Sequence, residues 1–342
     1  MKNDNQSPLF FSMTYEFLEL YLPRQCGRSL HTVESYRDVL SLFRRYVVDT
    51  LGRSTAKFTF AECTRDCVLG FMKRLSEWNS KASTRNQRLA ALRSYLQFAA
   101  DKDVSLQSIE LEVRRVPLCR VTKVEKTVLP EEAVAALLQQ PPNTKRGIRD
   151  RTLMILLYDS AARLAEVLGL SVLDVSIDGE NPYIRVNGKG NKRRVVPISP
   201  RTAAHLAQYL SLYHVNERSG TQPLFYTVIK GQTGMLSEAN VERFIREYAH
   251  KAQVFCPSIP ERVHPHMFRR TRATHLYQNG VDLPLVSRLL GHASLETTRV
   301  YAQPSLKMLR EAIESVETSK GKTTEPIWEG DEAAMAKLSG LR

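Results

Sequence analysis

The sequence predicts a mainly α protein with one small β-hairpin, divided into two domains. Three observations predict it. Helical apolar spacing runs through residues 1–112. A basic, proline-containing stretch over 113–129, "VRRVPLCRVTKVEKTVL", then breaks that period. Beyond it, residues 130–318 mix helical patterns with the alternating arms of "YIRVNGKGNKRRVVPIS", and 319–342 form a polar tail. A length of 342 residues fits two domains.

The elements follow in order. Tyr15, Leu18 and Leu22 keep helical spacing, and Phe11 extends the row. Val33, Tyr36, Leu40, Phe43 and Val47 predict a second helix, with Ser29 as N-cap. A third includes Val68, Phe71, Met72 and Leu75. A fourth, "STRNQRLAALRSYLQFAA", stripes Leu89, Leu92, Leu96 and Ala99 on one face. The basic stretch reads as an extended linker, able to follow a phosphate backbone or to serve as a plain solvated tether. "PEEAVAALLQQ" and "RDRTLMILLYDSA" are helical, and "AARLAEVLGLSVLDV" continues so. In the hairpin, Ile184 and Val186 lie on one arm and Val195, Val196 and Ile198 on the other, with Gly188 and Gly190 at the turn. "PRTAAHLAQYLSLY" and "SEANVERFIREYAHKA" are helices, the second capped by Ser237. "HPHMFRRTRATHLYQNG" is a helix closed by Gly280. "DLPLVSRLLG" starts at Asp282, takes Pro284 in its first turn and stops at Gly291. Ser294 caps "SLETTRVYAQ", and Leu306, Leu309, Ile313 and Val316 line a last amphipathic helix. "DEAAMAKL" in the tail suits a short helix.

The formal net charge of +13 points to a polyanionic partner. Double-stranded DNA is the first candidate and an anionic membrane surface the rival. No apolar run reaches the roughly 18 residues of a spanning helix, and the N-terminus lacks secretory signal features, so a cytoplasmic, nucleoid-associated protein is expected. Five cysteines, odd in number and irregular in spacing, argue against a disulfide framework. Cys63 and Cys67 could share a metal one turn apart, but no neighbouring Cys or His completes the set, and packing is the plainer reading. "GKGNK" lacks the spacing of a phosphate-binding P-loop. No metal and no cofactor are expected.

On the fourth helix, Arg85, Asn86, Arg88, Arg93 and Gln97 flank the apolar stripe. They form either a solvated face or a surface that reaches phosphates and base edges.

Breaking a phosphodiester without metal needs a nucleophile, cations at the non-bridging oxygens and an acid for the leaving oxygen. The chain offers such groups at separated places. Arg163 lies in "SAARLAEVLGL" and Lys189 at the hairpin tip. His266 and Arg269 share a helical face one turn apart. His292 follows Gly291, and Tyr301 comes after it. Arginine suits the phosphate because its planar fork binds two oxygens and stays protonated.

The strings "ARLAEVLGL", "GKGNKRRVVPI", "HPHMFRRTRATHLYQNGVDL" and "LLGHASLETTRVY", in this order and spacing, resemble the tyrosine recombinases: phage integrases, Xer-type recombinases and Cre. The resemblance spans roughly residues 127–316, and the N-terminal helices resemble the family's core-binding domain more weakly. It implies a helical DNA-clamping domain joined to an α+β catalytic domain. It implies that Tyr301 attacks the scissile phosphate, leaving a 3′-phosphotyrosine and a free 5′-hydroxyl. Arg163 and Arg269 would clamp the phosphate, and Lys189 would protonate the leaving oxygen. His266 would accept the nucleophile's proton, and His292 would donate to the phosphate. Glu166 would orient its neighbours. Lys192 competes with Lys189, and Lys192 and Arg193 are further DNA contacts. Two positions depart from the pattern: Ala161 or Ala162 replaces a frequent glycine, and Arg270 a frequent histidine.

Simpler roles exist for each group. Arg163 could merely pair with Glu166, Lys189 could be a solvated turn residue, and Tyr301 could be packed. The expected function is a site-specific recombinase of integrase or transposase type, acting as a homotetramer on specific DNA sites with possible accessory proteins. The last amphipathic helix, or the tail, would dock on a neighbouring protomer. A type IB topoisomerase-like relaxing enzyme and a catalytically silent DNA-binding accessory protein are the alternatives. No separate arm-site domain is expected ahead of the helices.

Overall fold

The computed structural model describes residues 7–122, 127–188, 192–215, 220–229, 231–292, 294–302, 304, 306–319, 333, 336–337 and 339–340. The chain forms two compact units, Met1–Glu125 and Lys126–Arg342. Lys189 and most of the tail lie outside the described residues.

Among the described residues the first unit is built of helices and their connections, with one isolated antiparallel bridge between Leu9 and Thr59. A short 3₁₀ turn, Phe10–Met13, leads into a π-helical segment, Glu16–Gln25. The π winding explains a departure from the expected row: Phe17, Leu18 and Leu22 are buried at spacings of one and four, while Tyr15 faces solvent. Four α-helices follow: α1 (Leu30–Asp49), α2 (Arg65–Glu77), α3 (Ala82–Lys102) and α4 (Gln107–Arg114). Ser29 caps α1 as expected, accepting from the Thr32 amide. Phe10, Phe17, Phe43, Phe71 and Tyr95 are fully enclosed, and Phe10 meets Tyr95 edge-on at 5.2 Å.

The expected linker is not free at either described end. Val113 and Val116 are buried in the first unit's core, because a tether with apolar residues at these points gains more by docking than by solvation. Asn86 on α3 fixes the segment beyond them. Its Nδ2 donates to the Cys119 carbonyl at 2.9 Å, and its Oδ1 accepts from the Cys119 amide at 2.8 Å. Asn86→Ala removes the partner of both backbone groups of Cys119. Urea unfolding should show a loss of about 2 kcal/mol, and Asn86→Asp should lose one of the two bonds.

In the second unit Leu129, just ahead of the first helix, is fully buried. The unit's elements are α5 (Glu131–Gln139), α6 (Lys145–Ser160), α7 (Leu164–Leu168), β1 (Val175–Ser176), β2 (Tyr183–Asn187), β3 (Arg193–Pro197), α8 (Pro200–Tyr213), β4 (Tyr226–Ile229) and β5 (Gln232–Met235). Then come α9 (Glu238–Gln253), α10 (Pro265–Gln278), α11 (Leu283–Leu290), α12 (Glu296–Arg299) and α13 (Leu306–Ser319). The core gathers α6, packed against α8 and α10, with the inner face of an antiparallel sheet ordered β1-β2-β3.

The expected hairpin is β2–β3, with Ile184 opposite Val196. Ile184, Val186 and Val196 point inward, and Val195 is exposed by the alternation of the strand. Three details differ from expectation. Helix α7 stops at Gly169, after which Ser171 and Asp174 cap a 3₁₀ turn leading to β1. The β4–β5 hairpin was not anticipated, since "YTVIKGQTGM" lacks a two-residue turn signal. Helix α12 has Leu295 at its cap, although Ser294 Oγ still accepts from the Glu296 amide. Gly291, φ +65°, ends α11 as expected.

Candidate active site

The site is built around one carboxylate. Arg163 is the N-cap of α7 and Glu166 lies three residues into it, so the two meet reciprocally. The Arg163 amide donates to Glu166 Oε2 at 2.8 Å and its Nη1 to Oε1 at 2.8 Å. Arg194 reaches in from β3 and grips the same carboxylate twice, at 3.0 and 2.9 Å. Arg269 stands 4.0 Å from it. Burial works against the charged carboxylate of Glu166. The Arg194 hydrogen bonds, the Arg163 amide and both guanidinium charges outweigh it and hold the carboxyl down at about 2. Glu166 is therefore ionised at neutral pH and organises three arginines.

Arg269, only 1% exposed, comes from α10. Nη1 donates to the Ala161 carbonyl at 2.8 Å, and Nη2 to the Leu290 carbonyl at 2.7 Å and to His292 Nε2 at 3.0 Å. Its guanidinium is pushed down to about 10 by burial and by Arg163, against the pull of Glu166 and Tyr301, and stays charged at neutral pH. Ala161 has left-handed φ, +50°, which is how its carbonyl turns toward Arg269. Of the two alanines that replace the frequent glycine, Ala161 is thus the one in a glycine-favouring conformation.

His292 follows Gly291 and stacks on the Tyr301 ring, centroids 6.1 Å apart. Burial, followed by the charges of Arg269, Arg163, Arg194 and His266, lowers its pKa to about 4, so it is neutral at pH 7. A guanidinium can only donate. His292 Nε2 is therefore the acceptor toward Arg269, and Nδ1 carries the proton, donated to Thr298 Oγ1 at 2.8 Å. Tyr301 lies just past α12, 7% exposed, packed with Ala161, Ala273, Val286 and Leu290. Its amide donates to the Thr298 carbonyl at 2.9 Å. His266 is exposed in the first turn of α10 and lies close enough to His292 to act on it electrostatically.

Beside these groups opens a cavity of about 610 Å³ lined by Arg163, Lys192, Arg193, Arg194 and His292 among others. Such a recess suits an anion. Five of the six expected catalytic residues, Arg163, His266, Arg269, His292 and Tyr301, thus belong to one neighbourhood, while Lys189 lies outside the described residues. Among the described residues, no cluster of three or more His, Cys, Asp or Glu side chains is placed to hold a metal ion.

Sequence reasoning missed Arg194. The signal was available, because strand alternation puts it on the same side as buried Val196, and a charge there demands a buried partner. Two glycines make room: a Cβ at Gly188 would lie 3.2 Å from Arg194 Nη1, and one at Gly291 3.0 Å from its Cζ. Arg270, the other departure, is 9% exposed and donates to the Thr127 carbonyl at 3.0 Å. With Thr271 Oγ1, which accepts from the Leu129 amide at 3.1 Å, it fastens the start of the unit to α10.

The expected DNA contacts on α3 divide. Asn86 is spent on Cys119, and Arg93 donates to the carbonyls of Arg114 and Val116. Gln97 is held by Asp101 and Arg114. These three hold the end of α4 and the segment after it. Arg88 donates to Ser80 Oγ at 2.7 Å and also lines a surface recess with Arg44 and Arg45, and Arg85 is half-buried nearby in sequence.

The Phage integrase family model matches residues 127–308, and the family's N-terminal SAM-like domain matches 16–103. The chain belongs to the phage integrase family. It is a tyrosine recombinase, of a family of enzymes that cleave and rejoin DNA strands. Tyrosine recombinase XerC of Myxococcus xanthus is 30% identical over 309 residues, covering 88% of this chain and 96% of that protein. Tyrosine recombinase XerD of Staphylococcus epidermidis is 32% identical, covering 83% and 91%. In fold, this recombinase is similar to the Tn1549 transposon integrase in complex with circular intermediate DNA, with a TM-score of 0.66 at 14% identity over 91% of this chain and 100% of the other. The expected fold class, mainly helical with a small antiparallel sheet and an N-terminal helical part, is borne out. Among the described residues no helix is long and apolar enough to cross a membrane.

Proposed function

We propose that this recombinase cuts and rejoins specific sites in double-stranded DNA through a Tyr301 phosphodiester. The observation that carries the reading is the gathering of Arg163, Arg194 and Arg269 on Glu166, with His292 bonded to Arg269 and stacked on Tyr301, beside an open basic recess. The scissile phosphate sits against Arg163, whose side chain is 41% exposed, and draws Arg269 and His292 into its shell. The Tyr301 hydroxyl attacks phosphorus, His266 takes its proton, and Lys189 protonates the departing 5′-oxygen. A 5′-hydroxyl from a partner strand reverses the step. Lys192 and Arg193 contact the backbone from the recess, and Arg85 and Arg88 do so from the first unit.

The working form is a homotetramer on two DNA sites. Leu309 and Ile313 on α13 are 47% and 61% exposed, which supports docking of that helix on a neighbouring protomer. Integration or transposition of a mobile element is the setting, with the similarity to a transposon integrase in support. The topoisomerase-like and silent-accessory alternatives are disfavoured by the family match and the intact set of groups.

The test uses nicked duplexes with randomised cores, incubated in EDTA without nucleotide. A covalent protein–DNA adduct that survives denaturation is expected, with the DNA on Tyr301. Band shifts with no adduct from any duplex would overturn catalysis and leave a binding protein.

A further inference from the structure

We propose that Thr298 is a positioning residue that lets either nitrogen of His292 carry the ring proton, so that Nε2 can donate to the phosphate. The inference rests on the recombinase reading and deepens it. Thr298 is fully buried on α12, and its hydroxyl is 2.8 Å from His292 Nδ1. On the opposite side of the ring, Arg269 Nη2 occupies Nε2 at 3.0 Å. Because Arg269 has no acceptor, the ring must carry its single proton on Nδ1 and give it to Thr298 Oγ1. In this state Nε2 has a lone pair outward and nothing to donate.

A phosphate oxygen needs the reverse. When it takes over Arg269, Nε2 must hold a proton and donate it. The ring reaches that form without gaining charge by releasing the Nδ1 proton to water and taking one from water on Nε2. His292 lines the open recess, so water has access, and one proton leaves as one arrives. Nδ1 then needs a donor. A backbone carbonyl could not supply one, but a hydroxyl can, by rotating from acceptor to donor. Protonating both nitrogens instead would add a cation beside Arg269, Arg163 and Arg194, whose charges already oppose it.

Thr298 also ties this choice to the nucleophile. Its carbonyl accepts the Tyr301 amide, and the Tyr301 ring stacks on His292. One residue therefore holds both the imidazole that meets the phosphate and the backbone that carries the phenol.

Two variants and one spectrum test the proposal. Thr298→Val keeps the shape and removes the hydroxyl, and Thr298→Ser restores it. On a duplex recovered by its covalent capture, adduct formation by Thr298→Val should slow about 10- to 100-fold with DNA binding unchanged. Thr298→Ser should stay within about threefold of wild type. In full-length protein labelled with ¹⁵N-histidine, the His292 signals, assigned by loss in His292→Phe, should report a proton on Nδ1. In Tyr301→Phe bound to the same duplex they should report one on Nε2. Equal rates for wild type and Thr298→Val, equal slowing by Val and Ser, or a proton on Nε2 in the free protein would each overturn the proposal. A wild type that makes no adduct sinks the recombinase reading instead, while the spectrum of the free protein still decides the state of His292.

Discussion

In Tyr301→Phe, the covalent protein–DNA adduct is expected to vanish, with a fall in cleavage rate of at least about 10⁴-fold. In the proposed mechanism the intermediate is a bond to that atom, so no other residue would replace the missing oxygen. The ring's other role survives the change. Phe keeps the contacts with Ala161, Ala273, Val286 and Leu290 and the stack on His292. Stability should therefore stay within about 1 kcal/mol of wild type, and band shifts should be unaltered. Denaturing electrophoresis after incubation with a nicked duplex reads the adduct. Persistence of the adduct in this variant would place the nucleophile elsewhere, and Tyr158, Tyr183, Tyr226, Tyr248 and Tyr277 would then be mapped by peptide sequencing.

Glu166→Gln should cost about 3 kcal/mol in unfolding free energy and nearly all cleavage, although Glu166 itself touches no phosphate. The carboxylate is 8% exposed and takes hydrogen bonds from Arg163 and Arg194, with Arg269 at 4.0 Å. A glutamine removes the charge that three guanidinium groups share and turns an amide N–H₂ toward donors. The pH dependence gives a second check. Because the folded carboxyl titrates at about 2, below its ordinary 4.5, its stabilisation is complete above pH 4.5 and is lost as pH falls toward 2. Across that window wild type should lose stability faster than Glu166→Gln in urea melts taken at each pH. Parallel curves would show that Glu166 is not the ionised hub.

Much of this site was legible from sequence because each group sits at an element boundary that the sequence also marks. Arg163 precedes an acidic residue at capping distance, His292 follows a helix-ending glycine, and His266 and Arg269 share a helical face. Local signals fix such positions. What escaped depends on partners distant in the chain. Arg194 became part of the site only because β3 brings it to Glu166, 28 residues away. The partners of Asn86 and Arg93 escaped because helical spacing cannot show that a later segment folds back onto them. The docked ends of the linker escaped for the same reason: Val116 and Leu129 lie in a basic stretch without helical spacing, and only tertiary packing gives them a place. The π segment misled because its winding departs from the 3.6-residue period used to read it.

Ala161 gives the clamp an unusual foundation. Nη1 of Arg269 is aimed by a peptide plane rather than by a side chain, since the carbonyl it holds turns inward with Ala161 at φ +50°. Rotation of that single plane to the ordinary right-handed basin would free Nη1 and leave the guanidinium held through Nη2 alone, without altering any functional group. A pair of homologues could therefore display identical side chains here and still differ in phosphate grip, according to whether the loop after α6 permits the rarer twist.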